Sequence, residues 1–149
     1  MLDCPDYIKR GLLAGLYATF IMTVLMVMPS IMKISGMETP LPLVIVSTIF
    51  GTSGGGNILL TIFCHLVYGS LWGLAFSGIL RNKGTASGLL FSLAPWIILI
   101  LVFFPLINRS FFYSAIKPGI AAVTLLMHLM YGGALGYFNK KLLIGYPVL

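Results

Sequence analysis

Two histidines are the side chains of this sequence best placed to do chemistry, because both lie inside long apolar runs. His65 lies in TIFCHLVYGSLWG (61–73) and His128 lies in TLLMHLMYGGALG (124–136). Both segments fit T-x-x-x-H-L-x-Y-G-x-x-x-G, and the chain has no other histidine. Polar side chains at bilayer depth are costly and are often functional. The pair therefore predicts either a shared site or a polar contact between helices.

Three uses suit the pair. The first is axial ligation of a b-type haem by His65 and His128, with Gly69 and Gly132 one turn away making room for the macrocycle edge. The second is helix packing, in which GxxxG glycines let two backbones approach while His and Tyr side chains hydrogen-bond across the interface. The third is a proton, quinone or metal site, since a neutral imidazole can both donate and accept hydrogen bonds.

Of these uses, packing is the one that the sequence favours. A duplicated gene copies every residue, so symmetry alone does not show that the two histidines act together. The residues predicted to pack are Tyr68, Gly73, Tyr131 and Gly136. We accordingly predict no cofactor, with haem b as the alternative.

Helical spacing places each histidine in a stripe of residues three, four or seven apart. The stripe on the second membrane helix consists of Thr61, His65, Tyr68, Gly69 and Trp72. Its counterpart on the fourth consists of Thr124, His128, Tyr131, Gly132 and Leu135. If a pseudo-two-fold axis runs between these helices, the two histidines face one another across it.

Composition identifies the elements that must carry these stripes. The chain has 149 residues, of which 59% are hydrophobic and 8% are charged, with a mean hydropathy of +1.05. Soluble domains carry roughly 25% charged residues. We predict an all-α polytopic membrane protein, a single membrane domain over 1–149. Its four transmembrane helices are expected near 10–33, 57–80, 85–107 and 119–139.

A second repeated pattern, G-x-x-x-G-L after a basic residue, begins at Gly11 and again at Gly84. It predicts two parallel two-helix repeats, over 9–80 and 82–141. The first repeat carries an insertion at 34–56. The apolar part of that insertion, Leu41–Phe50, is too short to span and predicts an interfacial or partly re-entrant segment. In the third helix, Pro95 predicts a kink.

The charges predict orientation and exclude several functions. Lysines and arginines divide six to three between the two sides, which predicts a multi-pass protein of the inner or plasma membrane with both termini cytoplasmic. They are scattered, so the expected partner is the lipid bilayer and not nucleic acid. The only carboxylates are Asp3, Asp6 and Glu38, all outside the predicted spans. Their placement counts against a proton-coupled transporter, carboxylate catalysis and a hard-metal site.

Two weaker signals are rejected. The segment GTSGG (51–55) fits the nucleophile-elbow pattern, but the strand–turn–helix that this pattern needs is absent. Methionines crowd the first helix, where they more often fill apolar packing than bind copper. We therefore predict no catalytic residues, no metal site and no enzymatic activity.

The H-L-x-Y-G-x-x-x-G element resembles a group of uncharacterised multi-spanning membrane proteins of archaea and bacteria, mainly over 61–76 and 124–138. The resemblance implies a four-helix integral membrane protein and no established activity. The function we predict is an accessory or scaffold subunit of a larger membrane complex, or a small oligomer of this chain. The alternative is a b-haem electron-transfer subunit with His65 and His128 as axial ligands. A small transporter is the third possibility.

Overall fold

The computed structural model describes residues 4–31, 39–51, 56–81, 83–107 and 120–144. These residues form five helices and no strand: α1 (Cys4–Ile31), α2 (Leu41–Phe50), α3 (Gly56–Ile79), α4 (Thr85–Leu106) and α5 (Ile120–Ile144). Four of them are long and apolar enough to cross a membrane, over Asp6–Val27, Asn57–Ile79, Thr85–Leu106 and Ile120–Leu143. The predicted all-α polytopic fold is confirmed.

Helix ends differ from the predicted spans where charged residues lie. The first helix begins at Cys4, earlier than the predicted residue 10, and the last continues to Ile144, beyond the predicted residue 139. Hydropathy marks only the apolar part of a helix, whereas the helix itself continues as long as its backbone hydrogen bonds do. Lys9 in α1 and Lys140 in α5 are both helical and exposed.

The short apolar segment of the insertion forms α2, with the predicted bounds Leu41–Phe50. It ends at Gly51, whose φ of 61° is left-handed and whose amide donates to the Ser47 carbonyl. The side-chain amide of Asn57, at the start of α3, donates from Nδ2 to Ser47 Oγ of α2 at 3.3 Å. This bond holds α2 against α3. Residues 34–38 and 52–55 of the predicted insertion, including most of the rejected elbow pattern, lie outside the described residues.

An interruption divides the first part of α4. Its α-helical segments are Thr85–Phe91, Leu93–Ile98 and Phe104–Leu106. The first break falls at Ser92, within one turn of Pro95. A proline ring clashes with the carbonyl one turn before it and removes an amide donor, which accounts for the break.

A second irregularity of α4, a π-helical turn at Leu99–Phe103, has no counterpart among the predictions. The Phe104 amide closes this turn by donating to the Leu99 carbonyl. Pro105 follows directly and has no amide with which to continue the α-helical ladder. Such a missing donor is a known cause of local widening in a helix.

Close glycine contacts join α1 to α3. A methyl group at Gly11 would lie 2.8 Å from the Gly73 carbonyl oxygen, and one at Gly15 would lie 2.5 Å from that of Gly69. Backbones this close leave no room for a side chain, so the two helices pack at the distance that only glycine allows.

The same arrangement joins α4 to α5. A methyl group at Gly136 would lie 2.5 Å from the Gly84 carbonyl oxygen, and one at Gly88 would overlap the Gly132 carbonyl. The glycines that match in the sequence pattern thus make matching contacts in the two helix pairs. Each GxxxG motif packs within its own helical hairpin. The tandem duplication itself stays a prediction.

The two hairpins are joined by the packing of α1 along α5, which is about as extensive as the packing of α4 along α5, and by contacts between aromatic rings. Tyr17 of α1 contacts Phe138 of α5, with ring centroids 5.5 Å apart. Phe91 of α4 packs edge-on against two rings of α3, Trp72 at 5.6 Å and Phe76 at 5.2 Å. The buried cluster beside these rings comprises Ala14, Ala18, Met22, Phe76, Tyr131 and Leu135.

Candidate functional site

A cavity of about 300 Å³ lies inside the bundle, and all five helices contribute to its wall. The whole predicted stripe of α3 lines it: Thr61, His65, Tyr68, Gly69 and Trp72. From the α5 stripe, Thr124, His128 and Tyr131 line it as well. The structure therefore brings both histidines to one mostly apolar cavity, while Gly132 and Leu135 lie outside its lining.

A hydrogen bond from α1 fixes the ring of His65. Its Nδ1 lies 3.0 Å from Thr23 Oγ1, and the Thr23 hydroxyl donates to the Thr19 carbonyl at 2.8 Å. A hydroxyl carries a single hydrogen, so towards His65 the threonine oxygen can only accept. With the Thr23 hydrogen directed to the Thr19 carbonyl, Nδ1 of His65 donates to Thr23 Oγ1, and its Nε2 presents a lone pair.

His128 has the same tautomer as His65, and the hydrogen bond that fixes it lies within α5. Its Nδ1 lies 2.7 Å from the Thr124 carbonyl oxygen, which can only accept. Within the described part of the chain, the hydrogen bonds of both histidines are made at Nδ1. The cavity is consequently bordered by two imidazoles whose Nε2 atoms are both acceptors.

Two polar atoms at this cavity lack hydrogen-bond partners in the described part of the chain. Among the described residues, the Tyr68 hydroxyl and Thr61 Oγ1 are buried without a hydrogen bond. Their counterparts on α5 are satisfied: the Tyr131 hydroxyl donates to the Gly69 carbonyl at 2.7 Å, and Thr124 Oγ1 accepts from Trp96 Nε1 at 3.3 Å. Among the described residues, the two unpaired polar atoms at this cavity therefore both belong to the α3 stripe.

The glycines one turn after the histidines face neighbouring helices. A methyl group at Gly69 would overlap the Thr19 side chain of α1. One at Gly132 would lie 2.6 Å from Ser92 Oγ of α4. Side chains already fill the space that the haem hypothesis reserved for a macrocycle edge, so these glycines serve close packing.

Sequence reasoning missed several residues of the site, namely Thr19, Thr23, Ser92 and Trp96. A signal was present for two of them, because Gly15-x-x-x-Thr19 and Gly88-x-x-x-Ser92 place a small hydroxyl residue one turn after matching glycines. In the described residues, no group of three or more His, Cys, Asp or Glu side chains is placed to hold a metal ion.

Comparison with known proteins gives a family but no activity. A family model described as "Family of unknown function (DUF6789)" matches residues 5–143 of the chain. No curated protein and no solved structure matches the chain. The site must therefore be interpreted from its own geometry.

Proposed function

We propose, for a chain that belongs to the DUF6789 family of unknown function, a role that rests on the cavity between His65 and His128. The protein acts as a non-enzymatic membrane protein that binds a neutral lipophilic molecule there. The ligand donates hydrogen bonds to the two imidazoles.

The observation that carries this proposal is the set of unpaired polar atoms at an apolar cavity. The Tyr68 hydroxyl and Thr61 Oγ1 have no hydrogen-bond partner among the described residues, and both residues line the same cavity as His65 and His128, whose hydrogen bonds are made at Nδ1. Leaving such a group without a partner costs about 1–3 kcal/mol by protein mutational data. A ligand that pairs with several of them at once gains affinity and fixes its own orientation.

The chemistry of the lining selects the class of ligand. Both Nε2 atoms are acceptors, so hydroxyl groups suit them and carbonyl groups do not. A hydroquinone, an apolar ring with two hydroxyls, has this character, whereas the oxidised quinone offers only carbonyl acceptors. The volume of about 300 Å³ is at the lower end for ligand pockets, which suits a single substituted ring.

Binding of decylubiquinol and decylubiquinone to the purified protein tests this assignment. The quinol is kept reduced under anaerobic conditions, and binding is followed by quenching of the Trp72 indole, which lines the cavity. We expect the quinol to bind at least about tenfold more tightly, as one to two additional hydrogen bonds would give. His65→Phe and His128→Phe should abolish this preference.

The matched control is Thr48→Val, which changes an exposed polar residue of α2 and should leave binding unchanged. Equal affinity for quinol and quinone, or a preference that survives in both histidine variants, would overturn the proposal. Failure of both decylubiquinol and decylubiquinone to bind would also overturn it.

Haem b is the second candidate, and one observation favours it. Histidines that bind iron commonly hold one ring nitrogen in a hydrogen bond and ligate with the other, the state found at His65 and His128. Reduced-minus-oxidised spectra should then show Soret and α bands that disappear in His65→Ala and His128→Ala. A featureless spectrum from folded protein, made in a host that supplies haem, would exclude this candidate.

The scaffold and transporter roles have less support from the geometry. The glycines of the GxxxG motifs at Gly69, Gly73, Gly132 and Gly136 are buried within the chain, so they offer no surface to another subunit. A scaffold should co-purify with fixed partners, and a stable lone monomer would count against that role. A transporter should give solute flux in proteoliposomes.

A further inference from the structure

The end of the bundle that holds the α3–α4 connection gathers basic side chains. Arg81 and Lys83 lie in the connection and are exposed. The stem of Lys140 from α5 packs beside it, since a methyl group at Gly84 would lie 3.3 Å from Lys140 Cδ. From α1, Arg10 Nη2 donates to the Arg81 carbonyl at 2.8 Å. Two helices thus add cations to the two that the short connection already carries.

The described protein supplies little negative charge to offset these cations. Arg10 is only 4% exposed, yet its hydrogen bonds go to neutral oxygens, Ser77 Oγ at 3.2 Å and the Arg81 carbonyl. Asp6 is the only carboxylate among the described residues, and it is exposed. Arginine is almost never buried without a partner of opposite charge, so an anion beside this group would be stabilised.

The connection is held in place by buried side chains. Asn139 is fully buried, and its Nδ2 lies 3.4 Å from the carbonyl oxygens of both Arg81 and Lys83. Arg10 also donates to the Arg81 carbonyl. The backbone of the connection is thus held from α1 and α5, and the Arg81 guanidinium lies over the Tyr7 ring of α1, 5.2 Å from its centroid. A pre-organised group of cations binds an anion more tightly than flexible cations do.

The position of the connection identifies the anion. One candidate span ends at Ile79 and the next begins at Thr85, so Arg81 and Lys83 lie just outside both spans, where lipid headgroups are expected. We propose that Arg10, Arg81, Lys83 and Lys140 form a binding site for the phosphodiester of an anionic phospholipid. The α3–α4 connection determines where this lipid site lies. The site is separate from the cavity between His65 and His128.

A comparison of two charge-matched double variants tests this site. Arg81→Gln with Lys83→Gln removes two cations of the site, while Lys9→Gln with Lys141→Gln removes two exposed cations of the helices that end beside it. Native mass spectrometry of the full chain measures retention of added phosphatidylglycerol against phosphatidylcholine. We expect about a tenfold or greater loss of phosphatidylglycerol affinity in the first variant only.

Equal losses in the two variants would overturn the proposal, because a diffuse positive field would then explain binding. Equal retention of phosphatidylcholine would also overturn it. A third measurement adds inorganic phosphate as a competitor. Displacement of phosphatidylglycerol by millimolar phosphate would show that the cations bind a free anion and not a lipid. All four substituted side chains are exposed, so neither variant disturbs a buried contact. Circular dichroism and size-exclusion chromatography serve as the test that both variants are folded.

Discussion

At the residue scale, hydrogen bonds to Nδ1 decide what each histidine can do. His65 is tied to Thr23 of another helix, and His128 to the carbonyl one turn before it. The two rings reach the same tautomer through different contacts, so a change in one partner should affect one ring alone. The cavity thus has two acceptor nitrogens, and different hydrogen bonds hold their two rings in place.

The tautomers are open to direct measurement. In protein with ¹⁵N-labelled histidine, both rings should give spectra of the Nδ1–H form. Thr23→Val removes the acceptor of His65, so the nitrogen shifts of that ring should move towards a mixture of tautomers while those of His128 stay fixed. An Nε2–H spectrum from either ring of the unmodified protein would contradict the assignment.

The two motif tyrosines provide a matched pair of substitutions. The Tyr131 hydroxyl donates to the Gly69 carbonyl at 2.7 Å, whereas the Tyr68 hydroxyl is buried without a partner among the described residues. Tyr131→Phe should lower the free energy of unfolding by about 0.5–1.5 kcal/mol. Tyr68→Phe in ligand-free protein should be neutral or stabilising. Unfolding in detergent micelles measures both, and an equal loss in the two variants would show that the hydroxyls are equivalent.

Sequence alone could predict only part of this site. The bond from His128 to Thr124 lies within the repeated motif, at helical spacing, so the pattern contains it. The partner of His65 lies 42 residues away on another helix, and no local pattern encodes that contact. The same limit applies to Trp96, whose indole reaches Thr124 from α4. The motif is the same around both histidines, but tertiary contacts give the two rings different partners.

At the element scale, glycines set how closely the helices of each hairpin approach. The apolar runs predicted where α2, α3 and α4 begin and end, because burial in lipid requires such runs. The predicted kink at Pro95 corresponds to a break at Ser92, but the π-helical turn before Pro105 was not foreseen. Its form depends on which carbonyl the Phe104 amide reaches, and hydropathy carries no information about that choice.

A pair of glycines in α3 tests the role of close approach. A methyl group at Gly73 would lie 2.5 Å from Gly15 Cα, whereas one at Gly78 would meet nothing nearer than a ring carbon of Tyr7 at 3.6 Å. Gly73→Ala should destabilise the protein by about 1–3 kcal/mol through overpacking. Gly78→Ala should be neutral or stabilise it by up to about 1 kcal/mol through helix propensity. Chemical unfolding of the two variants in micelles would separate these outcomes, and equal effects would argue against glycine packing.

At the scale of the whole molecule, the protein consists of two glycine-packed hairpins, which are joined by the packing of α1 along α5 and by larger side chains. Within a hairpin, backbone meets backbone, as Gly15 meets Gly69. Between hairpins, rings and hydroxyls span the gap, as Tyr131 does in reaching the Gly69 carbonyl. Few residues of α3 and α5 approach each other closely, whereas α1 packs along α5. A cavity therefore forms where the hairpins meet, and α2 covers part of it through Leu41, Ile45 and Ile49.

Double-mutant cycles test this division of the molecule into two packing units. Gly15→Ala and Gly73→Ala act on one helix contact, so their combined effect on the free energy of unfolding should depart from the sum by about 0.5–3 kcal/mol. Gly73→Ala and Gly136→Ala act on contacts in different hairpins and should add to within about 0.5 kcal/mol. Coupling between hairpins as strong as that within one would mean that the bundle packs as a single unit, with the cavity dependent on every helix contact. Additivity would instead allow the hairpins to shift as separate bodies, and the cavity between them could then adjust to a ligand without breaking either glycine contact.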